Sequence, residues 1–332
     1  MASLKDVAEM ANVSMMTVSR ALNNPKKVAP ATYQRVMKAV NILQYAPDPT
    51  TRSSRRVKEK TVVVLSIGTA TTPLSVDILL AIEQTAYKHK WNTLVINVLE
   101  DNRSQFEQAV ERVIQYRPTG IIIARNGLKK VKIPQKLRDF PIVLANCITD
   151  DISVASYIPD DYQGLKNIAE VIVEKGYKKP LLLHIPKNYI ATTKRRNGFE
   201  YIWFQQQDAQ PLTQYFMQAD EENYLGGAKP LLDILSIDPQ SFDYDVIVCG
   251  NDRIALVVYQ ILLRHGFRIP EDVAVTGYDN MIGVAHLFLP SLTTVQLPHY
   301  EMGEQALLHF IKGRQETREV LLPCALIRRN SV

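Results

Sequence analysis

The chain has 332 residues, of which 46% are apolar and 22% are charged. This length exceeds that of one small domain, and this balance excludes a disordered chain. The positive charge is concentrated, because residues 1–60 hold 11 Lys and Arg against 4 Asp and Glu. Such a segment predicts a polyanionic partner, with a solvated basic tail as the alternative.

Other features of the sequence indicate the compartment. No apolar run reaches about 18 residues, the length that a membrane-spanning helix needs. The N-terminus lacks a basic segment followed by an apolar one, so no secretory signal is expected. Cys147, Cys249 and Cys324 are far apart and odd in number, which is typical of reduced thiols. We therefore expect a cytoplasmic protein without membrane contact.

The first 45 residues predict three short helices that form a bundle ending near Tyr45. Ser14 is suited to cap the second helix, and Pro30 lies in the first turn of the third. The apolar residues that share helix faces are Leu4, Val7, Ala8 and Ala11, then Val18 and Leu22, then Val36, Val40 and Leu43.

The second helix, from Met15 to about Leu22, has two different faces. At about 100° per residue, Val18 and Leu22 point into the bundle and the opposite face is open. Arg20 on that face is suited to guanine or to a phosphate. In the alternative interpretation the methionines fill a core, as lone methionines usually do. The open face comprises Met16, Ser19, Arg20 and Asn23, with Met15 at its edge.

Residues 46–60 (APDPTTRSSRRVKEK) are basic and nearly free of apolar side chains. They predict a linker, or a marginal helix with Asp48 as its cap and Pro49 as its first residue. A helix this short is unstable alone, which makes it usable as a switch.

From Thr61 onward, short β-rich runs alternate with amphipathic helical segments, which predicts parallel sheets with helices on both faces. About a dozen strands are too many for one such sheet, so we expect two lobes. The predicted strands are 61–68, 91–98, 120–124, 141–146, 179–185, 244–250 and 271–278. The predicted helices are 75–90, 103–117, 161–176, 195–208, 227–237 and 252–266.

The sequence resembles one known family along its whole length. Residues 4–24 (LKDVAEMANVSMMTVSRALNN) are similar to the helix-turn-helix domain of the lactose-repressor/galactose-repressor (LacI/GalR) family of bacterial transcription regulators. Three segments of the rest of the chain resemble the core signatures of the same family. They are residues 251–280 (NDRIALVVYQILLRHGFRIPEDVAVTGYDN), 290–298 (PSLTTVQLP) and 326–331 (LIRRNS). The resemblance implies a small all-α helix-turn-helix head and an α/β two-lobed core that resembles the periplasmic sugar-binding proteins.

The resemblance also implies the domain boundaries. The DNA-binding head would span residues 1–46, and a hinge helix or linker would span residues 47–60. The effector-binding and dimerisation core would span residues 61–332. Its first lobe would comprise about 61–159 plus 292–320, and its second lobe about 160–291 plus 321–332.

The DNA-contacting residues of the family can be placed on this sequence. In the hinge, Arg52 is present, but Ser54 stands where the family usually carries a leucine wedge. A serine cannot separate a base step as an apolar wedge does, so we expect weaker kinking of the DNA. The base-reading positions fall on Met15, Met16 and Arg20, with Thr17, Ser19 and Asn23 beside them and Ser14 as cap and phosphate contact.

The effector positions of the family fall on Thr72, Pro73, Leu74, Asn146, Arg195, Asn251 and Asp279. The residue pattern supports part of this set, because Asp279 and Asn251 each follow a predicted strand and Arg195 opens a predicted helix. Ligands of such sheets bind beyond the carboxyl ends of the strands. Guanidinium and carboxylate groups suit neighbouring sugar hydroxyls. In the alternative, Asp279 and Asn251 cap the helices that follow them.

Two departures from the family pattern keep alternatives open. Residues 71–75 (TTPLS) lack the aromatic pair that the family often uses against a sugar ring. Residues 192–197 (TTKRRN) concentrate three cations, which suggests a phosphorylated or acidic effector, unless they form a solvated basic face. A protein partner could also replace the small effector.

No motif for catalysis or for cofactor binding is present, and His184 and His299 are isolated, so we expect no enzyme, no cofactor and no metal. We predict a homodimer that binds double-stranded operator DNA as a repressor. A sugar-like effector between the lobes would control its operator affinity. Pairing is expected through helix 75–90 and the segment near 97–116. A sugar-binding module whose head binds only proteins is the rival class.

Overall fold

A computed structural model describes residues 2–45, 60–69, 75–99, 102–218, 224–237 and 242–332. The chain divides into two compact units, Met1–Glu59 and Lys60–Val332. We call them the head and the core and describe each by itself. The hinge residues 47–59 lie outside the described residues.

The head is a bundle of three helices, as predicted. They are α1 (Leu4–Met10), α2 (Met15–Asn23) and α3 (Pro30–Ile42), with a short 3₁₀ turn at Pro25–Lys27. A capping box begins α1, in which Ser3 and Asp6 each accept a hydrogen bond from the backbone N–H of the other. The bundle buries a small aliphatic core that comprises Val7, Ala8, Ala11, Val18, Ala21, Val36 and Ala39.

The first lobe of the core is built on a parallel sheet of six strands in the order β11-β5-β4-β3-β1-β2. Helix α5 packs on one face, and α4 and α10 pack on the other. The strands are β1 (Thr61–Ile67), β2 (Asn92–Val98), β3 (Gly120–Lys130), β4 (Ile142–Ile148), β5 (Ala155–Pro159) and β11 (Arg318–Leu322). The helices are α4 (Val76–His89), α5 (Arg103–Tyr116) and α10 (His299–Ile311).

The second lobe is built on a parallel sheet of four strands in the order β7-β6-β8-β9. Helices α8 and α9 cover one face of this sheet, and α6 and α7 cover the other. The strands are β6 (Pro180–His184), β7 (Thr213–Phe216), β8 (Val246–Cys249) and β9 (Ala274–Thr276). The helices are α6 (Asp161–Glu174), α7 (Ile190–Trp203), α8 (Leu225–Ile237) and α9 (Asp252–Arg264).

Two short strands, β10 (Thr294–Gln296) and β12 (Ala325–Ile327), form an antiparallel pair. Single bridges join residues 276 to 293 and 279 to 296, so β10 lies beside β9 in the second lobe. The chain therefore crosses between the lobes after β5, between β10 and α10, and after β11. The second crossover falls after Gln296, a few residues beyond the predicted boundary at about residue 292.

The predicted alternation of strands and helices, and the predicted fold class, are confirmed. One helix differs in its start: α7 begins at Ile190, although the sequence analysis began it at residue 195. No breaker stands in residues 190–194 (IATTK), so the helix extends back toward Pro186. Arg195 consequently lies in the second turn of α7 and does not open it.

Candidate functional site

The first candidate site is the exposed surface of α2 in the head. Ser14 caps this helix as predicted, because its Oγ accepts a hydrogen bond from the Thr17 N–H at 3.1 Å. The hydroxyls of Ser14 and Thr17 are 2.9 Å apart. The cap fixes the first turn of α2, in which Met15 and Met16 lie.

Helix α2 has one buried and one open face, as its sequence predicts. Val18 is fully buried, and Leu22 packs against the same core. In contrast, Met15 and Met16 keep 53% and 70% of their surfaces exposed. Methionine is usually buried, so these exposed side chains exclude the alternative in which they fill the core.

The remaining candidate residues on the head differ in their exposure to solvent. Arg20 is exposed, and Thr17 and Ser19 are half-buried beside it. The side chain of Asn23 lies outside the described residues, as do the hinge residues Arg52 and Ser54. An exposed helix face that carries an arginine and two methionines is suited to base edges in a major groove.

The second candidate site is a buried cluster around Arg195 in the core. The Arg195 Nε donates to Asp161 Oδ1 and its Nη1 donates to the Gly250 carbonyl, each at 2.8 Å. The guanidinium carbon lies 3.6 Å from the centre of the Tyr278 ring, and Nη2 lies 3.9 Å from Asp279 Oδ1. Burial alone would lower the pKa of Arg195, but Asp161, Tyr278 and Asp279 raise it. The guanidinium therefore stays charged and held in one orientation.

Asp279 occupies a turn that follows β9 and has an unusual backbone. Its φ is 106° and that of Asn280 is 47°, a region that few non-glycine residues adopt. The turn is fixed because Asn280 Nδ2 donates to Gln296 Oε1 at 2.5 Å. Burial raises the pKa of Asp279 to about 7, although Arg195 opposes this effect. The next α-helix begins only at His299, so the helix-capping alternative does not apply to Asp279.

The two predicted asparagines lie in different lobes. Asn251 caps α9, because its Oδ1 accepts a hydrogen bond from the Ile254 N–H at 2.9 Å. The capping alternative is therefore confirmed for Asn251. Because its side-chain oxygen is used by the cap, Asn251 can bind a ligand through the N–H groups of its side-chain amide. Asn146 is buried near the carboxyl end of β4 with a φ of 56°, and its Nδ2 donates to the Arg125 carbonyl at 3.1 Å. The other predicted effector residues, Thr72, Pro73 and Leu74, lie outside the described residues.

Asp161, a fully buried carboxylate at the centre of the site, was not predicted from the sequence. Asp161 is the first residue of α6 and follows the crossover from β5. While its Oδ1 accepts from Arg195, its Oδ2 is buried without a hydrogen-bond partner among the described residues. A free acceptor of this kind suits a ligand hydroxyl. The position of Asp161 just past a strand, the signal already used for Asp279, could have identified it.

Asp252 is a second missed carboxylate, and its role is structural. Its Oδ1 accepts from the Thr294 hydroxyl and its Oδ2 from the Met281 N–H, each at 2.6 Å. Burial raises the pKa of Asp252 to about 6, while the hydrogen bond from Thr294 lowers it. Asp252 thus ties α9 to the turn that presents Asp279.

The three adjacent cations of α7 each have a carboxylate partner. Lys194 Nζ lies 3.3 Å from Glu319 Oε2, Arg195 binds Asp161, and Arg196 Nε lies 3.6 Å from Glu200 Oε1. The run therefore supplies no surplus positive charge for an anionic ligand. This run of cations therefore does not by itself favour an acidic effector.

Helix α7 also connects the two lobes. Lys194 lies on α7 in the second lobe, whereas Glu319 lies on β11 in the first. Near the start of the same helix, Lys129 Nζ on β3 lies 5.6 Å from the centre of the Tyr189 ring. We call these two contacts the lobe latch. The first lobe thus contacts the helix that carries Arg195, or the residue that precedes it, at two points.

The isolated histidines are parts of the core. His184 stacks on Phe216 with ring centres 4.7 Å apart, and its Nε2 lies 2.9 Å from Gln214 Oε1. Burial lowers the pKa of both His184 and His299 to about 4. Within the described ranges, no three His, Cys, Asp or Glu side chains are grouped so that they could hold a metal ion. No helix in the same ranges has the length and apolar character needed to cross a membrane.

Comparisons with known proteins match a family model to the head and another to the core. The sequence model of "Bacterial regulatory proteins, lacI family" matches residues 3–48. That of "Periplasmic binding proteins and sugar binding domain of LacI family" matches residues 58–330. The chain belongs to the LacI family. The expected family is confirmed, and this member is a DNA-binding transcription regulator with a sugar-binding type of core, not an enzyme.

Several relatives of this LacI-family chain are similar to it over their full length. It is 46% identical to the "Sucrose operon repressor" of Escherichia coli, with 100% of each chain covered. It is 27% identical to the "HTH-type transcriptional repressor CytR" of Escherichia coli (strain K12), with 99% and 96% covered. Its fold is similar to that of the Lac repressor bound to ONPG in the repressed state, with a TM-score of 0.80, 22% identity, and 100% and 99% covered.

Proposed function

We propose that this LacI-family regulator represses an operon for sucrose use and that sucrose, or a sugar released from it, binds between its lobes. The observation that carries the proposal is the 46% identity to a sucrose operon repressor over the whole of both chains. In this proposal the head binds operator DNA through Met15, Met16, Arg20 and their neighbours. The core binds the sugar through Arg195, Asp279, Asn251 and Asn146, with Asp161 added to this set.

The chemistry of the Arg195 cluster supports a neutral polyol as its ligand. The positive charge of Arg195 is balanced by Asp161 and Asp279, so a phosphate or carboxylate would meet two carboxylates in the same site. Sugar hydroxyls can donate to carboxylate oxygens and accept from guanidinium N–H groups at once. The unpartnered Asp161 Oδ2 is an acceptor that such a hydroxyl would satisfy.

The proposal includes a homodimer that acts in the cytoplasm, where its operator DNA lies. Each head would read one half of a nearly palindromic site. The outer side of α4 supports pairing through this helix, because it exposes Val76, Leu80 and Tyr87, the last with 89% of its surface free. Leu99 and Tyr116 are exposed apolar residues in the neighbouring segment. Side chains of this kind are typical of a surface that a second subunit covers.

A thermal-shift and operator-binding experiment on the full-length protein tests the sugar. Sucrose, glucose and fructose are compared with glucose 6-phosphate, gluconate and adenine. At a hundredfold excess over its Kd, the effector should stabilise the protein by about 2.7 kcal/mol, which raises the Tm by about 5 °C or more. The same sugar should change operator affinity. A response to glucose 6-phosphate, gluconate or adenine but to no neutral sugar would contradict the proposal. A response to none of these ligands would favour a protein partner as the effector.

The lobe latch is expected to set the strength of coupling between sugar and operator. Charge reversal at Lys194 (Lys194→Glu) or at Glu319 (Glu319→Lys) converts the attraction between these partly exposed groups into a repulsion. We expect this change to weaken the contact between the lobes by about 0.5–1 kcal/mol. Each single variant should therefore change the ratio of operator affinities without and with sugar by about two- to fivefold. The double variant, in which the charges are exchanged, should restore the ratio.

Lys229→Glu is the matched control for the latch. Lys229 also forms an ion pair, with Asp233, but both residues lie on α8 within one lobe. This variant should leave the affinity ratio unchanged. If the double exchange fails to restore coupling, or if Lys229→Glu changes it as much, the latch does not carry the coupling.

A further inference from the structure

A cavity lies in the first lobe, at the amino-terminal ends of strands β4, β5 and β11, whereas the Arg195 cluster lies beyond the carboxyl ends of the second-lobe strands β8 and β9. We call it the outer pocket. Ile142, the first residue of β4, and Thr317, which precedes β11, both line it, so it opens at the amino-terminal edge of the sheet. Its volume is about 400 Å³, which is in the range of small-molecule sites.

Part of the lining of the outer pocket is apolar, and we call this part the floor. It is formed by side chains from the segment after β3, from β4, from the turn before β5 and from the end of α10. Such a floor can hold a compact apolar body by removing its surface from water. The floor residues are Ile133, Phe140, Ile142, Val154 and Phe310.

One wall of the pocket is a hydrogen-bonded network around the buried Tyr157. Arg314 Nη1 donates to the Tyr157 hydroxyl at 3.1 Å and to Gln305 Oε1 at 2.9 Å. The Tyr157 hydroxyl lies 3.2 Å from His309 Nδ1. These contacts hold Arg314 and His309, which both line the pocket, in fixed positions before any ligand arrives.

The network determines which groups face the cavity. A guanidinium can only donate, so the Tyr157 oxygen accepts from Arg314, and its proton is then free to be donated to His309 Nδ1. The proton of the neutral imidazole is thereby assigned to Nε2. Burial lowers the pKa of His309, Glu316 opposes this effect and Arg314 reinforces it; the net direction is downward, which favours the neutral ring at pH 7. The wall therefore offers N–H donors from Arg314 and His309 and no acceptor.

The rim adds one more cation and two carboxylates. Arg138 is exposed at the rim. Asp151 Oδ1 accepts from both the N–H and the hydroxyl of Ser153, and these bonds together with Arg138 lower the pKa of Asp151, so this carboxylate stays charged and balances part of the charge of Arg138. Glu316 is the other acid of the lining, and it would oppose an anion.

We propose that the outer pocket binds a small molecule that has an anionic group, a carboxylate or a phosphate monoester, on a compact apolar body. The anion would lie between Arg314, His309 and Arg138, where charge-assisted hydrogen bonds are strongest. The apolar body would lie on the floor. This ligand would be distinct from the sugar, since the Arg195 cluster is built on the second-lobe sheet and the outer pocket opens at the amino-terminal edge of the first-lobe sheet.

Calorimetric titration of the full-length protein with benzoate and with phenyl phosphate tests the proposal. Both probes carry a phenyl ring as the compact apolar group. Their different anionic groups distinguish a carboxylate ligand from a phosphate ligand. At least one should bind, while neutral benzamide should not. Arg138→Gln should weaken that binding by about tenfold, the usual effect of one lost charge-assisted contact. Arg138 is exposed, so this variant should fold.

Two further variants make the test specific for the outer pocket. Glu316→Gln should tighten binding severalfold, because it removes the opposing carboxylate. Arg103→Gln, which removes an exposed arginine on α5 that is paired with Glu107, should change nothing. Saturating sucrose should not displace either probe, so failure of the sucrose proposal would leave this one intact. Binding of neither probe at millimolar concentration, or equal binding by the Arg138 and Arg103 variants, would overturn the proposal.

Discussion

Replacing Arg195 with alanine is expected to abolish the response to sugar and to lower the stability of the core. The change removes the cation that Asp161 and Asp279 share and leaves two carboxylates with little access to water. Breaking a buried ion pair by removing one partner costs about 3–5 kcal/mol. The sugar would lose the group that is aimed at its hydroxyls, so the operator complex should no longer respond to it. Urea unfolding, sugar titration and operator binding measure these effects.

Arg196→Ala is the matched control for this experiment. It removes the same charge one residue further along α7, where the side chain is partly exposed and 3.6 Å from Glu200. Such pairs contribute at most about 1 kcal/mol, so stability and sugar response should be retained. Arg195→Lys adds a variant that keeps the charge but lacks the planar fork that binds Asp161 and the Gly250 carbonyl together. If the alanine or lysine variant at position 195 responds to sugar like the natural protein, the site lies elsewhere.

The sequence predicted the parts of the fold that rest on local periodicity. In the three head helices and in the apolar strands β1 and β8, the spacing of the apolar residues is compatible with few other secondary structures. Strands β7 and β11 were missed because they lie at sheet edges and are largely exposed or half-buried, whereas the fully buried β5 was missed because its five residues (ASYIP) include only one β-branched apolar side chain. An edge strand needs fewer apolar residues, so its pattern is weak.

Helix α10 was missed for a different reason. Its buried residues Met302, Ala306 and Leu307 are helically spaced, but Gly303 in the middle reduces the local helical preference. The structure explains this glycine, since a Cβ at position 303 would lie 2.2 Å from the Ile78 carbonyl oxygen on α4. Close packing of α10 on α4 requires the residue that weakens the sequence signal.

The candidate site was predictable only in part. Strand ends indicated Asp279 and Asn251, but Asp161 meets Arg195 across 34 positions of sequence. The charge run of α7 was misleading, because the partners of Lys194 and Arg195 come from distant elements, β11 and α6. Local sequence shows how many charges a segment carries, whereas the tertiary structure determines how many remain unpaired.

The second large effect is expected in the head. Arg20→Ala should weaken binding to the specific operator by about 1–3 kcal/mol, the discrimination that one good base contact provides. Arg20 is exposed on the open face of α2 together with Met16, so the substitution removes a contact without disturbing the core around Val18. Operator and random duplex of equal length are titrated at several salt concentrations.

Lys26→Ala separates base recognition from simple charge. Lys26 is exposed in the 3₁₀ turn that follows α2, so this variant loses one positive charge outside the helix face. Both variants lose one cation, so both can weaken binding to random DNA and reduce its dependence on salt by similar amounts. Only Arg20→Ala should show an additional loss on the operator. If Arg20→Ala weakens both duplexes equally, Arg20 contacts a phosphate and sequence recognition must come from Met15, Met16 and the residues beside them.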